Sequence, residues 1–347
     1  MEQNVVLEMR DISKNFTGVR ALSHVDFTLR KGEIHALMGE NGAGKSTLIK
    51  VLTGVHEFES GSIRMADKEK NIINHSPQEA QENGISTVYQ EVNLCPNLTV
   101  AENLFIGREP RKMGMINWKE MNNRSEKLLE SLDIHVPPTQ MLDECSVAIQ
   151  QMIAIARAVD MKCQVLILDE PTTSLNNDEV EHLFQIIRRL KEKGTAFIFI
   201  SHKMPEIFRI ADRYTVLRNG EFIKSGKLSE ITQEEVTGLM VGEKFSHQEV
   251  YQKRELGENV LELNGLSGHG FSNVNLTVKK GSIVGLTGLQ GSGSSELLQG
   301  LFGAVTVTGG TLKVSGKECR IHSIQGAMKA GIAMLASNRK ENSVIPD

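Results

Sequence analysis

Residues 39 to 47 read Gly-Glu-Asn-Gly-Ala-Gly-Lys-Ser-Thr, and they follow directly on the apolar run Ile34 to Met38. Glycines at this spacing let backbone N–H groups turn inward around phosphate oxygens, because no Cβ stands in the way. The stretch after the loop, Lys45 to Leu52, predicts a helix whose partly positive N-terminus faces the bound anion. A strand, a tight loop and a helix start in this order predict a phosphate-binding loop.

Two side chains at the end of this loop indicate that the phosphates belong to a nucleoside triphosphate. Lys45 would reach the β and γ phosphates, and the Ser46 hydroxyl would bind Mg²⁺. A glycine-rich turn that binds nothing is the alternative, but the apolar strand before the loop and the helix after it favour a binding site. The candidate nucleotide-binding residues of the loop are Gly39, Glu40, Asn41, Gly42, Ala43, Gly44, Lys45, Ser46 and Thr47.

The composition is typical of a soluble globular chain. The chain has 347 residues, which suggests about two domains, and 39% of them are hydrophobic and 24% charged. The net charge of −4 provides no basic field for nucleic acid, and four scattered cysteines fit a reducing cytosol. The N-terminus lacks signal-peptide features, and no apolar run reaches the ~18 residues of a membrane helix. We therefore expect any membrane association to come through a partner.

The chain resembles itself at a constant offset. The glycines at 39, 42 and 44 recur at 288, 291 and 293, and Lys31-Gly32-Glu33-Ile34 recurs as Lys280-Gly281-Ser282-Ile283. A repeat of this size predicts a duplicated domain. We expect a complete first copy over residues 1–245, a polar linker over 246–258 and an incomplete second copy over 259–347. The second copy is too short to match the first, so we expect a truncated or fragmentary tandem protein.

Two carboxylates follow another apolar run. Residues 165–168 predict a buried strand, and Asp169 and Glu170 come directly after it. Asp169 would hold Mg²⁺, directly or through water, and Glu170 could orient or deprotonate the attacking water. A strand-ending turn without catalytic role is the alternative reading. The phosphate-binding loop earlier in the chain favours catalysis.

Two further polar side chains stand at predicted strand ends. His202 follows the run Ala196–Ile200 and could hydrogen-bond a γ-phosphate, although a lone histidine is more often an ordinary surface residue. Gln90 follows the run that begins at Ile85, and its amide could meet Mg²⁺ and the attacking water. Strands that alternate with helical patterns predict an α/β fold with a largely parallel sheet. The nucleotide would lie at the carboxyl ends of the strands.

The helical patterns between these strands lie over residues 150–159 and 179–193. For the second, Asn177 or Asp178 is the expected N-cap and Gly194 the expected stop.

Taken together, these motifs resemble the ATP-binding subunit of an ABC transporter. Walker A lies at residues 39–46, the Q-loop at Gln90, Walker B with its glutamate at Asp169 and Glu170, and the H-loop at His202. The resemblance implies a P-loop NTPase domain with a mixed sheet and a helical subdomain, and it implies that Phe16 stacks on adenine. The phrases at residues 12–22 and 89–94 are similar to bacterial monosaccharide importers of the ribose, xylose, galactose and galactofuranose type.

The chain departs from this family pattern at several positions. Residues 145–149 stand where the family has Leu-Ser-Gly-Gly-Gln and keep only Ser146, and Asn176 replaces a usual aspartate. In the second copy Ser294 replaces the loop lysine and Ser337 stands at the Q-loop position. ABC domains work as head-to-tail pairs, so the resemblance implies one degenerate composite site.

The resemblance implies ATP and Mg²⁺ as cofactors and an ATPase that energises monosaccharide import. The implied partners are an integral-membrane permease docked near residues 90–103, a periplasmic or extracellular sugar-binding protein, and a second ABC domain or homodimer partner. The chain would lie peripherally on the cytoplasmic face of the membrane. The alternative is a nucleotide-binding fragment with little turnover. A soluble ABC protein acting on ribosomes or DNA lacks support, because no basic linker joins the two copies.

Overall fold

The computed structural model describes residues 4–66, 68, 71–89, 93–242, 255–289 and 291–335. The chain divides into two compact units, Met1–Ser246 and His247–Asp347. Among the described residues, no helix is both long enough and apolar enough to cross a membrane.

The first unit combines strands and helices along its whole length. In chain order they are β1 (Val5–Phe16), β2 (Val19–Arg30), β3 (Ile34–Met38), α1 (Lys45–Leu52), β4 (Ser60–Met65), α2 (Pro77–Glu82), β5 (Ile85–Val88), α3 (Val100–Phe105), β6 (Arg111–Lys112), β7 (Met115–Ile116), α4 (Trp118–Ser131), α5 (Val147–Asp160), β8 (Val165–Asp169), α6 (Asn177–Glu192), β9 (Ala196–Ile200), α7 (Met204–Ile210), β10 (Arg213–Arg218), β11 (Glu221–Lys227) and α8 (Gln233–Val241).

Nine of these strands form one mixed sheet in the order β4-β1-β2-β11-β10-β3-β9-β8-β5. The strands from β10 to β5 pair in parallel, whereas β4, β1 and β2 pair antiparallel. Successive residues of the parallel strands enter two different cores. Leu166 and Leu168 of β8 join the core that contains α6, and Val165 and Ile167 join the core that contains α1. Both faces of the sheet are covered, and this explains why the apolar runs in the sequence are continuous instead of alternating with polar residues.

A helical subdomain lies between β5 and β8. Helices α3, α4 and α5 pack against one another through buried side chains that include Phe105, Met121 and Ile155. The small hairpin of β6 and β7 connects α3 to α4. The fold therefore has the mixed sheet and the helical subdomain that the resemblance implies.

Two predicted helix starts are wrong by a few residues. Helix α5 begins at Val147 instead of residue 150, because the Ser146 side chain accepts a hydrogen bond from the N–H of Ile149. Helix α6 is capped by Asn176, not by Asn177 or Asp178, because Asn176 and Glu179 form a reciprocal capping box. The predicted stop at Gly194 is confirmed, with a φ of +98° directly after the C-cap.

The second unit contains β12 (Asn259–Gly268), β13 (Phe271–Lys279), α9 (Ser294–Leu301), β14 (Val307–Val314), β15 (Lys317–Cys319) and α10 (Ile324–Lys329). The strands form a separate sheet in the order β13-β12-β14-β15. Residues 282–288 include the five residues that align with β3 in the repeat, but they form no strand, and Ile283 is exposed. In the first unit β3 is held between β9 and β10, and the described part of the second unit has no strands that correspond to them.

Candidate nucleotide-binding site

The loop between β3 and α1 needs glycine at its two ends. Gly39 has a φ of +150°, and a Cβ at this position would lie 2.4 Å from the carbonyl oxygen of Leu217. Gly44, the N-cap of α1, has a φ of +102°, and its Cβ would lie 2.9 Å from the carbonyl oxygen of Ala21. Any side chain at either position would collide with backbone, so the loop can take its compact form only with glycine there.

Lys45 lies at the first position of α1 and turns back over the loop. Its Nζ donates to the carbonyl oxygens of Gly39 at 2.6 Å and Glu40 at 2.9 Å. Burial lowers the pKa of Lys45, and the carboxylates of Glu170 and Asp169 oppose that shift. The ammonium group of Lys45 is therefore held inside the loop, where phosphate oxygens could replace the two carbonyl oxygens as its hydrogen-bond acceptors.

The loop forms one wall of a cleft of about 1300 Å³. This cleft brings together residues that lie far apart in the chain: Phe16, all nine loop residues from Gly39 to Thr47, Asp169, Glu170 and His202. Sequence reasoning missed other lining residues, among them Arg20, Asn219 and Met240, because no local pattern marks a residue that folding alone brings to a site. Gln90 lies outside the described residues.

Asp169 is the last residue of β8. Alternate residues of a strand face the same side of the sheet, and Asp169 alternates with Val165 and Ile167, which face the core containing α1. Its carboxylate therefore points to the side of the sheet on which Lys45 begins that helix. Burial raises the pKa of Asp169, the Glu170 charge adds to the rise, and Lys45 opposes it. Such a desolvated carboxylate beside a cation is typical of functional sites.

Glu170 has an unusual backbone for its type. Its φ is +51°, in the left-handed region, and its N–H donates to the carbonyl oxygen of Ile200 at 2.8 Å. A non-glycine residue there is uncommon, and the hydrogen bond to β9 holds the turn in place. The side chain is consequently directed into the cleft instead of continuing the strand.

His202 faces this glutamate from the neighbouring strand end. Its Nδ1 lies 2.9 Å from Oε2 of Glu170, and the side chains are 70% and 17% exposed, respectively. The Oε2 atom is buried, and its contact with Nδ1 does not meet the angular requirement for a hydrogen bond. The two predicted catalytic side chains therefore meet directly across β8 and β9.

A buried polar contact fixes the segment after Glu170. The Thr172 hydroxyl, fully buried, donates to the carboxylate of Glu206. Lys203 Nζ lies 3.1 Å from that carboxylate and donates to the carbonyl oxygen of Thr172 at 2.8 Å. These contacts join the turn after β8 to helix α7 directly behind His202. These contacts between Thr172, Lys203 and Glu206 were not predicted from the sequence. Their one local signal is the spacing of Lys203 and Glu206 across one helical turn.

Phe16 closes the cleft on the side of the antiparallel strands. Its ring packs edge-on against His56 with centroids 5.1 Å apart, and Lys14 Nζ lies 5.3 Å from its centroid. The ring is partly exposed to the cleft. An aromatic face in this place is suited to stacking on a planar base.

The altered signature segment still begins a regular helix. The Ser146 hydroxyl caps α5, and the amide of Gln150 donates to the carbonyl oxygens of Leu142 at 3.2 Å and Cys145 at 3.0 Å. These bonds hold the segment in an ordered turn even though most of its expected residues are replaced. Ser337, at the Q-loop position of the second copy, lies outside the described residues.

A strand that ends in a phosphate-binding loop, inside a sheet covered on both faces, defines the class of P-loop nucleoside triphosphatases. The family description "ABC transporter" matches residues 22–173 and 271–345. This chain belongs to that family. The predicted family and fold class are confirmed.

Similar proteins narrow the likeness to importers of sugars. The chain is 42% identical over 344 residues to "Ribose import ATP-binding protein RbsA 2" of Streptomyces coelicolor. The aligned region covers 99% of this chain and 66% of that protein. It is 41% identical over 343 residues to the ribose import ATP-binding protein RbsA of Geobacillus kaustophilus, covering 98% of this chain and 69% of the relative. A putative ribose/galactose/methyl galactoside import ATP-binding protein of Burkholderia cenocepacia is 42% identical, with 97% and 64% covered.

The chain thus spans about two thirds of the length of the curated relatives it matches. Among solved structures, the ADP conformation of MJ1267, an ATP-binding cassette of an ABC transporter, superposes with a TM-score of 0.60 at 27% identity. This superposition covers 69% of the present chain and 99% of the MJ1267 chain. A nucleotide-free ATP-binding cassette gives a TM-score of 0.58 at 26% identity, with 69% of this chain and 96% of the other covered.

Proposed function

We propose that this chain binds and hydrolyses ATP to energise the import of a monosaccharide through an ABC transporter. The observation that carries the proposal is the single cleft in which Lys45, Asp169, Glu170 and His202 converge on the phosphate-binding loop. Relatives at about 40% identity over nearly the whole chain are ribose and galactose import ATP-binding proteins. They favour this function over that of a nucleotide-binding fragment with little turnover.

Binding of the triphosphate would begin with Lys45. Its ammonium group already points into the loop, and it would leave the carbonyl oxygens of Gly39 and Glu40 for the β and γ phosphate oxygens. Backbone N–H groups of the loop and the N-terminus of α1 would hold the remaining charge. Phe16 would stack on the adenine base.

The oxygen donors of the cleft fit Mg²⁺. The Ser46 hydroxyl and the Asp169 carboxylate both line the cleft beside the loop, and Mg²⁺ prefers oxygen ligands shared with substrate phosphates. We propose Ser46, Asp169 and Gln90 as its protein ligands. Bound there, the ion would neutralise charge on the β and γ phosphates.

Glu170 and His202 would carry the hydrolytic step. Glu170 lines the cleft, and its carboxylate would accept a proton from the attacking water. His202 stands 2.9 Å from this carboxylate, where its ring could bind the γ-phosphate and stabilise the charge of the transition state. The positive φ of Glu170 and the tie between Thr172 and Glu206 would keep the two groups in position.

The proposal includes the partners that the family implies. A membrane permease would dock near residues 90–103, a sugar-binding protein would act from the other side of the membrane, and the chain would lie on the cytoplasmic face. A second ABC domain would close over the nucleotide with its signature segment. We further propose the division into a first ABC domain at 1–245, a linker at 246–258 and a second copy of the domain over 259–347.

The test is Mg²⁺-dependent ATPase activity measured with the permease in liposomes. We expect turnover to rise when the permease and a sugar-loaded binding protein are both present. A chain that hydrolyses ATP at the same rate with and without them would contradict the transport role. A chain that binds no nucleotide would contradict the assignment of the cleft itself.

A further inference from the structure

A small hairpin of the helical subdomain exposes apolar side chains that the nucleotide cleft does not use. Met113 at its turn is 92% exposed, and Met115 in β7 is 72% exposed. Trp118, which begins α4 just after the hairpin, is 51% exposed. Large apolar side chains grouped on a surface mark a site of interaction.

The turn of this hairpin is unfavourable for the residue that occupies it. Met113 has a φ of +52° and Gly114 a φ of +84°, so both central residues of the two-residue turn are left-handed. Glycine, asparagine and aspartate are the usual residues in such a turn. A methionine there gains neither a relaxed backbone nor burial, so a contact outside the chain would account for it.

The hairpin is fixed to the rest of the unit and projects from it. The N–H of Asn117 donates to the carbonyl oxygen of Pro110 at 2.7 Å, and the Asn117 side chain caps α4. On the preceding side, Arg108 binds the carboxylate of Asp160 at 2.6 Å. These contacts anchor the base of the hairpin and leave the exposed Met113 at its apex.

Basic residues flank the apolar tip along the chain. Residues 108–119 contain four basic side chains and one acidic side chain, although the whole chain has a net charge of −4. Arg111 pairs across the hairpin with Ile116, and Lys112 pairs with Met115, so each face carries one cation beside one apolar side chain. The single carboxylate, Glu109, accepts a hydrogen bond from the N–H of Gly107 at 2.8 Å.

We propose that the hairpin patch, defined as residues 111–116, Trp118 and Lys119, binds the surface of an anionic lipid bilayer. Arg111, Lys112 and Lys119 would meet the headgroup phosphates, and the apolar apex would enter the boundary with the acyl chains. Tryptophan is enriched at this depth of a membrane. A projecting apex suits a deformable lipid surface, whereas a rigid protein partner needs a complementary groove. This contact would act in addition to any docking on a permease and without nucleotide.

The test uses Trp118, the only tryptophan of the chain. The full chain is mixed with vesicles of phosphatidylglycerol and phosphatidylcholine, or of phosphatidylcholine alone. With the anionic vesicles we expect a blue shift of Trp118 emission, quenching by brominated lipid, and co-sedimentation. The double variant Arg111→Glu, Lys112→Glu should lower the partition coefficient at least about 25-fold, because each of the two basic residues near an anionic surface contributes about five-fold.

Matched variants separate this patch from general charge. Lys127→Glu with Lys193→Glu makes the same change of charge at exposed positions elsewhere, and it should bind vesicles nearly as well as the unaltered chain. Met113→Ser with Met115→Ser keeps the charge and should still weaken binding, whereas Ile73→Ser, at another exposed apolar residue, should not. Unchanged ATP affinity in every variant would show that the first unit remains folded.

Three results would overturn the proposal. The first is no change of Trp118 emission with anionic vesicles. The second is equal loss of binding in the patch variants and in the control variants. The third is normal vesicle binding by the patch variants together with lost stimulation by the permease, which would make the hairpin a protein-docking element.

Discussion

At the scale of single residues, the site is a set of charged groups held close together before any ligand arrives. Lys45 is partly desolvated and bound to its own loop, Asp169 is desolvated beside it, and Glu170 meets His202 at the neighbouring strand end. The two neighbouring carboxylates repel each other, and burial of these carboxylates and of Lys45 costs solvation, so the arrangement lowers stability. Bound phosphate would neutralise the charge of Lys45, and Mg²⁺ would neutralise that of the carboxylates.

Glu170→Gln tests which carboxylate handles water. The amide keeps the shape of the side chain but cannot accept a proton, so we expect ATP affinity within a few-fold of the unaltered chain and turnover lower by about 10² to 10⁴. Isothermal titration and steady-state ATPase assays measure the two effects. Glu192→Gln, an exposed glutamate at the end of α6, is the matched control. Normal turnover of the Glu170 variant would show that another group activates the water.

The cysteines provide a test of burial. Burial raises the pKa of Cys163 to about 12, whereas Cys95 is exposed. Alkylation requires the thiolate, so at pH 8 we expect iodoacetamide to label Cys163 about 10³-fold more slowly than an ordinary thiol with a pKa near 9. Because the folded chain keeps this proton, the contribution of Cys163 to stability falls as the pH rises from 9 towards 12.

Peptide mass mapping of the native chain over time measures this labelling, with Cys95 as internal control. Rapid labelling of both thiols in the folded chain would contradict the burial of Cys163, and labelling only after unfolding would support it.

At the scale of elements, side chains at helix starts decide boundaries that hydrophobic periodicity leaves open. Asn176 accepts from the N–H of Glu179 at 3.0 Å, and the Glu179 carboxylate accepts from the N–H of Asn176 at 2.9 Å. Asparagine caps a helix about as well as aspartate. The departure from the family's usual aspartate therefore leaves the start of α6 intact, although it removes a charge.

Asn176→Ala should lower the free energy of unfolding of the first unit by about 1 kcal/mol, because it removes the capping hydrogen bond. Asn176→Asp should be nearly neutral, and so should Asn177→Ala, because Asn177 lies inside the helix and is exposed. Urea unfolding measured in parallel on the three variants gives the comparison. A larger loss from Asn177→Ala than from Asn176→Ala would show that the cap is elsewhere.

At the scale of the whole molecule, the two copies of the loop differ in what they can hold. The first has Lys45 and a cleft with two carboxylates, whereas the second begins α9 with Ser294. The hydroxyl of Ser294 lies 3.3 Å from that of Ser292, and a hydroxyl supplies no positive charge to a triphosphate.

We therefore expect one tightly bound ATP per chain, measured by isothermal titration. Lys45→Ala should weaken that binding about 10- to 100-fold, because it removes a charge-assisted hydrogen bond. Lys50→Ala, at an exposed position of the same helix, should leave it unchanged. Two equivalent sites per chain, or full affinity after Lys45→Ala, would contradict this account of the loops.

Much of the fold could be predicted because its signals are local. The bounds of β3, α1 and β9 follow from apolar runs and from the glycines of the loop, and the predicted stop of α6 at Gly194 is confirmed. The helix starts needed capping geometry, which depends on which of several adjacent polar side chains turns back. The missing strand at residues 282–288 depends on neighbouring strands, which the repeat in the sequence does not reveal.

The sequence alone determined the class of this protein, because a phosphate-binding loop needs glycine, lysine and serine at fixed spacing and these are adjacent in the chain. It also determined the candidate carboxylates, which follow directly on a buried strand. Only the tertiary structure decided the 2.9 Å contact of Glu170 with His202, the tie between Thr172 and Glu206, and the exposure of Met113 and Trp118. The physical reason is that these contacts and exposures arise from packing between distant segments, which no local pattern records.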